Sequence, residues 1–460
     1  MAKLFLSLLT YLLLAGSILA THQASWQQGR CQISRINAEE PSYTLRSEGG
    51  LTESWDHNSD EFRCAGGSLH RHRIQARGLM LPAYHNAPVI AYVVKGRGIF
   101  GILLSGCPET FESSQQQESE EGTRERFRDR HQRIEHFKTG DIIAIPAGAA
   151  HWAYNTGDEE LIVVALQHTD NPTNQLDRNP RSFQLAGKLQ QQQHQGGPQQ
   201  QQQHEQGNVF RGFDSQTLAQ VFGVNEETAR SLQSENDERG HIITVRRGLH
   251  VITPPLTREE YGRRGEEEDR PYNGLEETIC SAKVRENIER ASRADVYNPR
   301  AGRLTTVNSL TLPILSLLRL SAARGVLYRN AIMAPHWFVN SHSFLYITRG
   351  ASRMQIVNHR GQAVFDGEVR EGQAVVVPQN FAVVKRAGEQ GCEWVEFNTN
   401  EQAMMNTLSG RTSALRGLPR DVIAAAYQIS PEEAERLKFS REETLFFSGE
   451  RSQRGRVASA

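Results

Sequence analysis

At 460 residues the chain is long enough for two ordinary domains, each with its own buried core. A formal net charge of −1 excludes the chain-wide basic field that nucleic-acid binders use, so no nucleic-acid partner is expected. Two asymmetries lie beneath that balance: seven of the 52 basic residues are lysine and the rest arginine, and the net charge is −6 before Gly274 and +5 from Gly274 onward.

The N-terminus has the pattern of a cleaved secretory signal peptide over residues 1–20. Lys3 gives the positive start, residues 4–19 are nearly all apolar, and small residues surround Ala20. As a membrane span the stretch is marginal, since about 20 apolar residues are wanted and no basic stop-transfer cluster follows Thr21-His22-Gln23. No later segment is apolar for long enough, so a soluble protein with no membrane partner, folded in an oxidising lumen, is expected. Cys31, Cys64, Cys107, Cys280 and Cys392 include no Cys-x-x-Cys pair, which removes zinc and thioredoxin readings. Two disulfides and one leftover thiol are the natural arithmetic in such a compartment. Cys392 lies in the alternating run Cys392-Glu393-Trp394-Val395-Glu396-Phe397 and reads as a buried small hydrophobe and a free thiol.

Further along, short β-type runs are joined by glycine-containing turns. Val89-Ile90-Ala91-Tyr92-Val93-Val94, Gly96-Arg97-Gly98 and Ile99-Phe100-Gly101-Ile102 have a counterpart in Phe344-Leu345-Tyr346-Ile347, Arg349-Gly350 and Met354-Gln355-Ile356-Val357. Strands this frequent predict a closed or sandwiched all-β barrel in each half. Residues 190–206 are glutamine-rich and 258–270 are charged, and both are expected to be disordered loops. After each barrel comes a repeated segment. Gly212-Phe213, Leu218-Ala219, Phe222, Val224 and Ala229 are echoed by Gly417-Leu418, Ile423-Ala424, Tyr427, Ile429 and Ala434. Asn225 and Ser430 stand as N-caps before acidic first turns, so each copy is expected to form a helix pair. Their apolar residues Leu218, Phe222, Val224, Ile423, Tyr427 and Ile429 are expected to exceed what a small barrel needs and to meet a partner.

One motif could carry chemistry. Gly140, Pro146, Gly148, His151 and Asn155 resemble the second cupin motif, G-x5-P-x-G-x2-H-x3-N, at every fixed position. The resemblance implies two cupin jelly-roll β-barrels, a bicupin, each followed by its helix pair. Active cupins hold a metal with three histidines and a glutamate, the first motif being H-x-H-x4-E. Counting back from Tyr92 puts Pro82, Tyr84 and Val89 at those positions, and leaves His85 one residue out of register, facing the other way. Counting from Tyr346 gives His336, Phe338 and Ser343, with Val383 in place of the histidine of the second motif. Each barrel is thus expected to keep one ligand, His151 or His336, which is too few for a catalytic divalent ion. No G-x-S-x-G, Walker loop or H-E-x-x-H occurs, so no catalytic residue, metal or cofactor is expected.

The segment Asn273-Gly274-Leu275-Glu276-Glu277-Thr278-Ile279-Cys280 coincides with the change from net acidic to net basic sequence. It resembles the processing site of legumin-type (11S) seed storage globulins, cut after the asparagine by a vacuolar asparaginyl endopeptidase. Ser47-Glu48-Gly49-Gly50, Phe62-Arg63-Cys64-Ala65-Gly66, Gly106-Cys107-Pro108-Glu109-Thr110-Phe111, Asn174-Gln175-Leu176-Asp177 and Val377-Pro378-Gln379-Asn380 carry the same resemblance. It implies an acidic chain of 21–273 holding the first barrel and arm, and a basic chain of 274–460 holding the second. It implies a Cys31–Cys64 bridge within the acidic chain and a Cys107–Cys280 bridge between the chains. It also implies a homotrimeric precursor that becomes a homohexamer in the protein storage vacuole of seeds. Arginine and glutamine excess fits a nitrogen reservoir, with bidentate pairing at interfaces as the competing reason for the arginines. Two alternatives differ in kind: a metal-dependent bicupin enzyme, against which the ligand census speaks, and a small-ligand-binding bicupin. Against the latter, no cluster of convergent polar residues is legible in the sequence.

Overall fold

The computed structural model describes residues 31, 33–104, 106–107, 109, 111–118, 124–189, 193–194, 207–234, 237–251 and 279–449; the signal segment, Asn273-Gly274 and the 258–270 stretch lie outside them. Of 190–206, only Gln193–His194 is described before residue 207, as a short strand on the edge of Tyr43–Ser47.

Runs rich in β-branched residues form the strands, and turns with glycine separate them. The first barrel is built from two sheets. In one, Tyr43–Ser47, Gly50–Ser54, Ser68–Ile74, Leu161–Gln167, Val89–Lys95 and Asp141–Ile145 lie side by side. In the other, the order is Ser182–Gln184, Gly78–His85, Ala150–Asn155, Arg97–Leu103 and Ile134–Lys138, with Ile242–Thr244 also on Gly78–His85. The second barrel repeats the plan, with the long strands Ser343–Val357 and Ala382–Asn398 each running on through register shifts to serve both sides. Gly96 (φ +98°) and Gly350 (φ +73°) occupy matching points, where the chain turns from one sheet toward the other in a left-handed conformation that favours glycine.

The two barrels share a core. Phe62 meets Phe344 with ring centres 5.6 Å apart, and Trp55 meets Tyr346 at 5.9 Å. The repeat shows in the polar contacts too. Arg71 Nη1 donates to the Tyr346 hydroxyl at 3.1 Å, and Arg324 Nε donates to the Tyr92 hydroxyl at 3.1 Å, so each barrel clasps the matching tyrosine of the other. Glu53 and Glu393 hold those two arginines by ion pairs. A further element crosses the halves: Arg285–Asn287 pairs with Asp141–Ile145, and the fully buried Asp141 accepts from Arg285 Nη1 at 3.1 Å and Asn287 Nδ2 at 2.8 Å.

The helix pairs form where expected. Ser215–Phe222 and Glu226–Gln233 follow the first barrel, and Arg420–Tyr427 and Pro431–Phe439 the second. Asn225 caps through Thr228 N–H at 2.8 Å, and Ser430 makes a full capping box with Glu433. The expectation that all six apolar arm residues are left over to meet a partner needs correction. Leu218 and Ile423 are buried, each the buried residue of its helix. Of the other four, Phe222, Val224 and Tyr427 are exposed and Ile429 is half-buried, and Val221, Val422, Leu437 and Phe439 are among the further exposed apolar residues of the arms.

Candidate functional site

Within the first barrel, Gly78–His85 sends Leu81, Ala83 and His85 toward the interior, while Tyr84 stacks on Phe183 at 4.9 Å. His85 therefore faces inward, contrary to the register counted from Tyr92. That count crosses the Asn86-Ala87-Pro88 turn, whose length is free to vary. The strand takes its register from its pairing with Ala150–Asn155, where Ala83 lies opposite His151. Pro82 and Tyr84 are displaced from the ligand positions by the same step. The rings of His85 and His151 come within 5.1 Å.

These two histidines line a cavity of about 110 Å³ between the sheets, with Phe100, Phe137, Val163 and Gln184 among its walls. His72 and His241 also border it and belong to a hydrogen-bonded chain. Ser47 Oγ lies 3.0 Å from His241 Nδ1, Thr52 Oγ1 lies 2.7 Å from His241 Nε2, and the same hydroxyl lies 2.9 Å from His72 Nδ1. Burial disfavours the charged imidazolium at each position. It lowers His72 to about 3, with help from His241, and His241 to about 4; His151 and His85 are lowered as well, His85 also by His151. The interior is a set of neutral imidazoles in an apolar wall. A convergent polar cluster thus exists where the sequence showed none. Its members come from strands far apart in the chain, and the alternation His70-Arg71-His72 was the one local signal.

A catalytic divalent ion takes at least three protein ligands. The first barrel brings two histidines together, His85 and His151, and among the described residues no group of three or more His, Cys, Asp or Glu is placed to hold a metal. The second barrel places His336, Phe338, Ser343 and Val383 inside, with Val383 opposite His336. Beside them an ion pair fills the interior: Lys385 Nζ donates to Glu396 Oε2 at 2.9 Å and lies 4.8 Å from the centre of the Trp394 ring. Burial, with the Lys385 charge, lowers His336 to about 4. An ammonium already stands close to that histidine, so the donor set does not fit a metal.

In the structure Cys31 is bonded to Cys64 and Cys107 to Cys280, while Cys392 is a buried thiol pushed up to about 12 by burial.

The cupin family profile matches residues 36–191 and 286–435. The 11S globulin seed storage protein Ana o 2.0101 of Anacardium occidentale is 49% identical over 456 residues, covering 96% of this chain and 98% of that protein. The chain belongs to the legumin-type 11S globulins of the cupin superfamily. Legumin A of Gossypium hirsutum is 42% identical, with 98% of each chain covered. Among solved structures, procruciferin, an 11S globulin from Brassica napus, superposes with a TM-score of 0.81 at 43% identity, over 91% of this chain and 98% of its own. The 11S globulin described here is a seed storage protein.

Proposed function

We propose that this globulin is a non-catalytic reservoir of amino nitrogen, held in the protein storage vacuole and cut after Asn273 by an asparaginyl endopeptidase. The products are the acidic chain 21–273 and the basic chain 274–460; the uncut form is a homotrimer and the cut form a homohexamer. The observation that carries this reading is the Cys107–Cys280 bridge, whose halves lie on opposite sides of Asn273. A cut there leaves two chains covalently joined. The strand Arg285–Asn287 on the first barrel, with its partners around Asp141, holds them together without the bridge as well. The deficit of ligands in both barrels and the ammonium in the second support the absence of metal catalysis. Electrophoresis of protein from its natural tissue tests the reading. One band without reductant, resolving on reduction into two with Gly274 at the new N-terminus, is the expected result. A smaller chain beginning elsewhere would refute the cleavage assignment.

A further inference from the structure

Nitrogen storage needs no cavity, and the two homologous barrels differ in this respect. The interior of the second is occupied by the Lys385–Glu396 pair, whereas the first encloses the histidine-lined space of about 110 Å³. Its polar groups are unbalanced. His85 Nδ1 and Gln184 Oε1 are buried atoms without a hydrogen-bond partner, and both residues line the cavity. Gln184 is itself buried and commits its amide N–H to Ser182 Oγ at 2.8 Å, so its free atom is a carbonyl oxygen. The His85 ring bonds to the Arg181 backbone, which leaves Nδ1 as a lone pair. His151 Nδ1 lies 3.1 Å from the Ala149 carbonyl and donates to it, so His151 Nε2 is an acceptor as well. His85, Gln184 and His151 thus offer acceptors, and among the described residues lining the cavity none carries a formal charge.

We infer that the first barrel is a binding site for small, neutral, largely apolar molecules carrying one O–H or N–H donor, with monocyclic phenols as the class. The ring would lie against Phe100 and Phe137, and the hydroxyl would donate to His85 Nδ1 or Gln184 Oε1. A dry apolar cavity of about 150 Å³ accepts benzene, which sets the scale at a single ring. Carboxylates are disfavoured, because they bring acceptors to acceptors and a charge that no cation here offsets. A metal would compete for the same lone pairs, so it enters the test as a rival.

The test is calorimetric titration of the full-length protein at pH 7.5 with phenol, its size-matched apolar analogue toluene, benzoate and Zn²⁺. Phenol is expected to bind saturably and about tenfold more tightly than toluene, the worth of one buried hydrogen bond. Benzoate and Zn²⁺ should give no saturable heat. His85→Leu and Gln184→Leu should each shrink the preference for phenol, and the double variant should bring it to about onefold. Ala83→Leu, which fills the cavity from one wall, should abolish binding of both aromatics while the thermal unfolding transition persists. Equal affinity for phenol and toluene in the unaltered protein would overturn the inference. So would Zn²⁺ or benzoate binding most tightly, phenol binding that survives Ala83→Leu, or no saturable phenol heat at all.

Discussion

Lys385 is the side chain that most clearly sets the second barrel apart from a metal site. It and Glu396 are 1% and 3% exposed, so neither charge is solvated and each depends on the other. Lys385→Ala should cost about 3–5 kcal/mol, because it strands a buried carboxylate, whereas a double change to Lys385→Met and Glu396→Leu should recover most of that loss. Urea unfolding midpoints of the two variants and the unaltered protein decide it. The histidines set a pH dependence of definite sign. His72 and His241 titrate near 3 and 4 in the folded protein and near 6.5 when unfolded, so between those values the unfolded chain binds more protons. Their contribution is therefore complete above about 6.5 and is lost as pH falls toward 3–4, by roughly 3 kcal/mol for His241 alone. Glu39 acts in the opposite direction. Burial and the neighbouring Glu61 push it up to about 8, so its contribution is present below about 4.5 and is lost as pH rises through 8. Stability measured from pH 4 to 9 should show His241→Gln flattening the acid limb and Glu39→Gln flattening the alkaline limb.

Elements were legible in the sequence to the extent that local pattern fixes them. The helix pairs were readable because Asn225 and Ser430 supply caps whose geometry needs only neighbouring residues. The strands around Tyr92 and Tyr346 were readable from their β-branched runs and from the repeat. The facing of His85 was not, because register across a turn depends on pairing with Ala150–Asn155, a partner far along the chain. For the same reason the cavity could not be seen: Gln184, His241 and His151 come from distant parts of the chain that meet only when their strands pair along Gly78–His85, and His72 and Val163 close the space from the opposite sheet. The crossing strand Arg285–Asn287 was equally hidden, and it changes what loss of the bridge should do. In cut protein, Cys107→Ser should release the two chains in denaturing electrophoresis without reductant. Under native conditions the same protein should keep its size, since Asp141 and the shared core still join the halves. Gel filtration that found separate chains would contradict that role for the strand.

At the scale of the whole molecule, both helical arms of the repeat carry exposed apolar side chains. Phe222 is 50% exposed on the first arm and Tyr427 is 56% exposed on the second, in matching helices. Surfaces of that kind on a soluble chain usually meet a partner. Two similar arms on one chain allow the second arm of one protomer to dock on the first arm of the next, and a head-to-tail contact must close into a ring to avoid an open filament. In the proposed assembly three protomers close that ring. We propose that cleavage after Asn273 is the step that lets two such trimers stack in pairs. Tyr427→Asp places a charge in the arm contact and should yield monomers by light scattering, with the barrels still folded by circular dichroism. Asn273→Gln removes the cleavage position and leaves the arms untouched, so the uncut variant should remain a trimer while cut protein reaches the hexamer. Hexamers of the uncut variant would show that stacking does not wait for cleavage, and a Tyr427→Asp protein of unchanged mass would show that the ring closes through other surfaces.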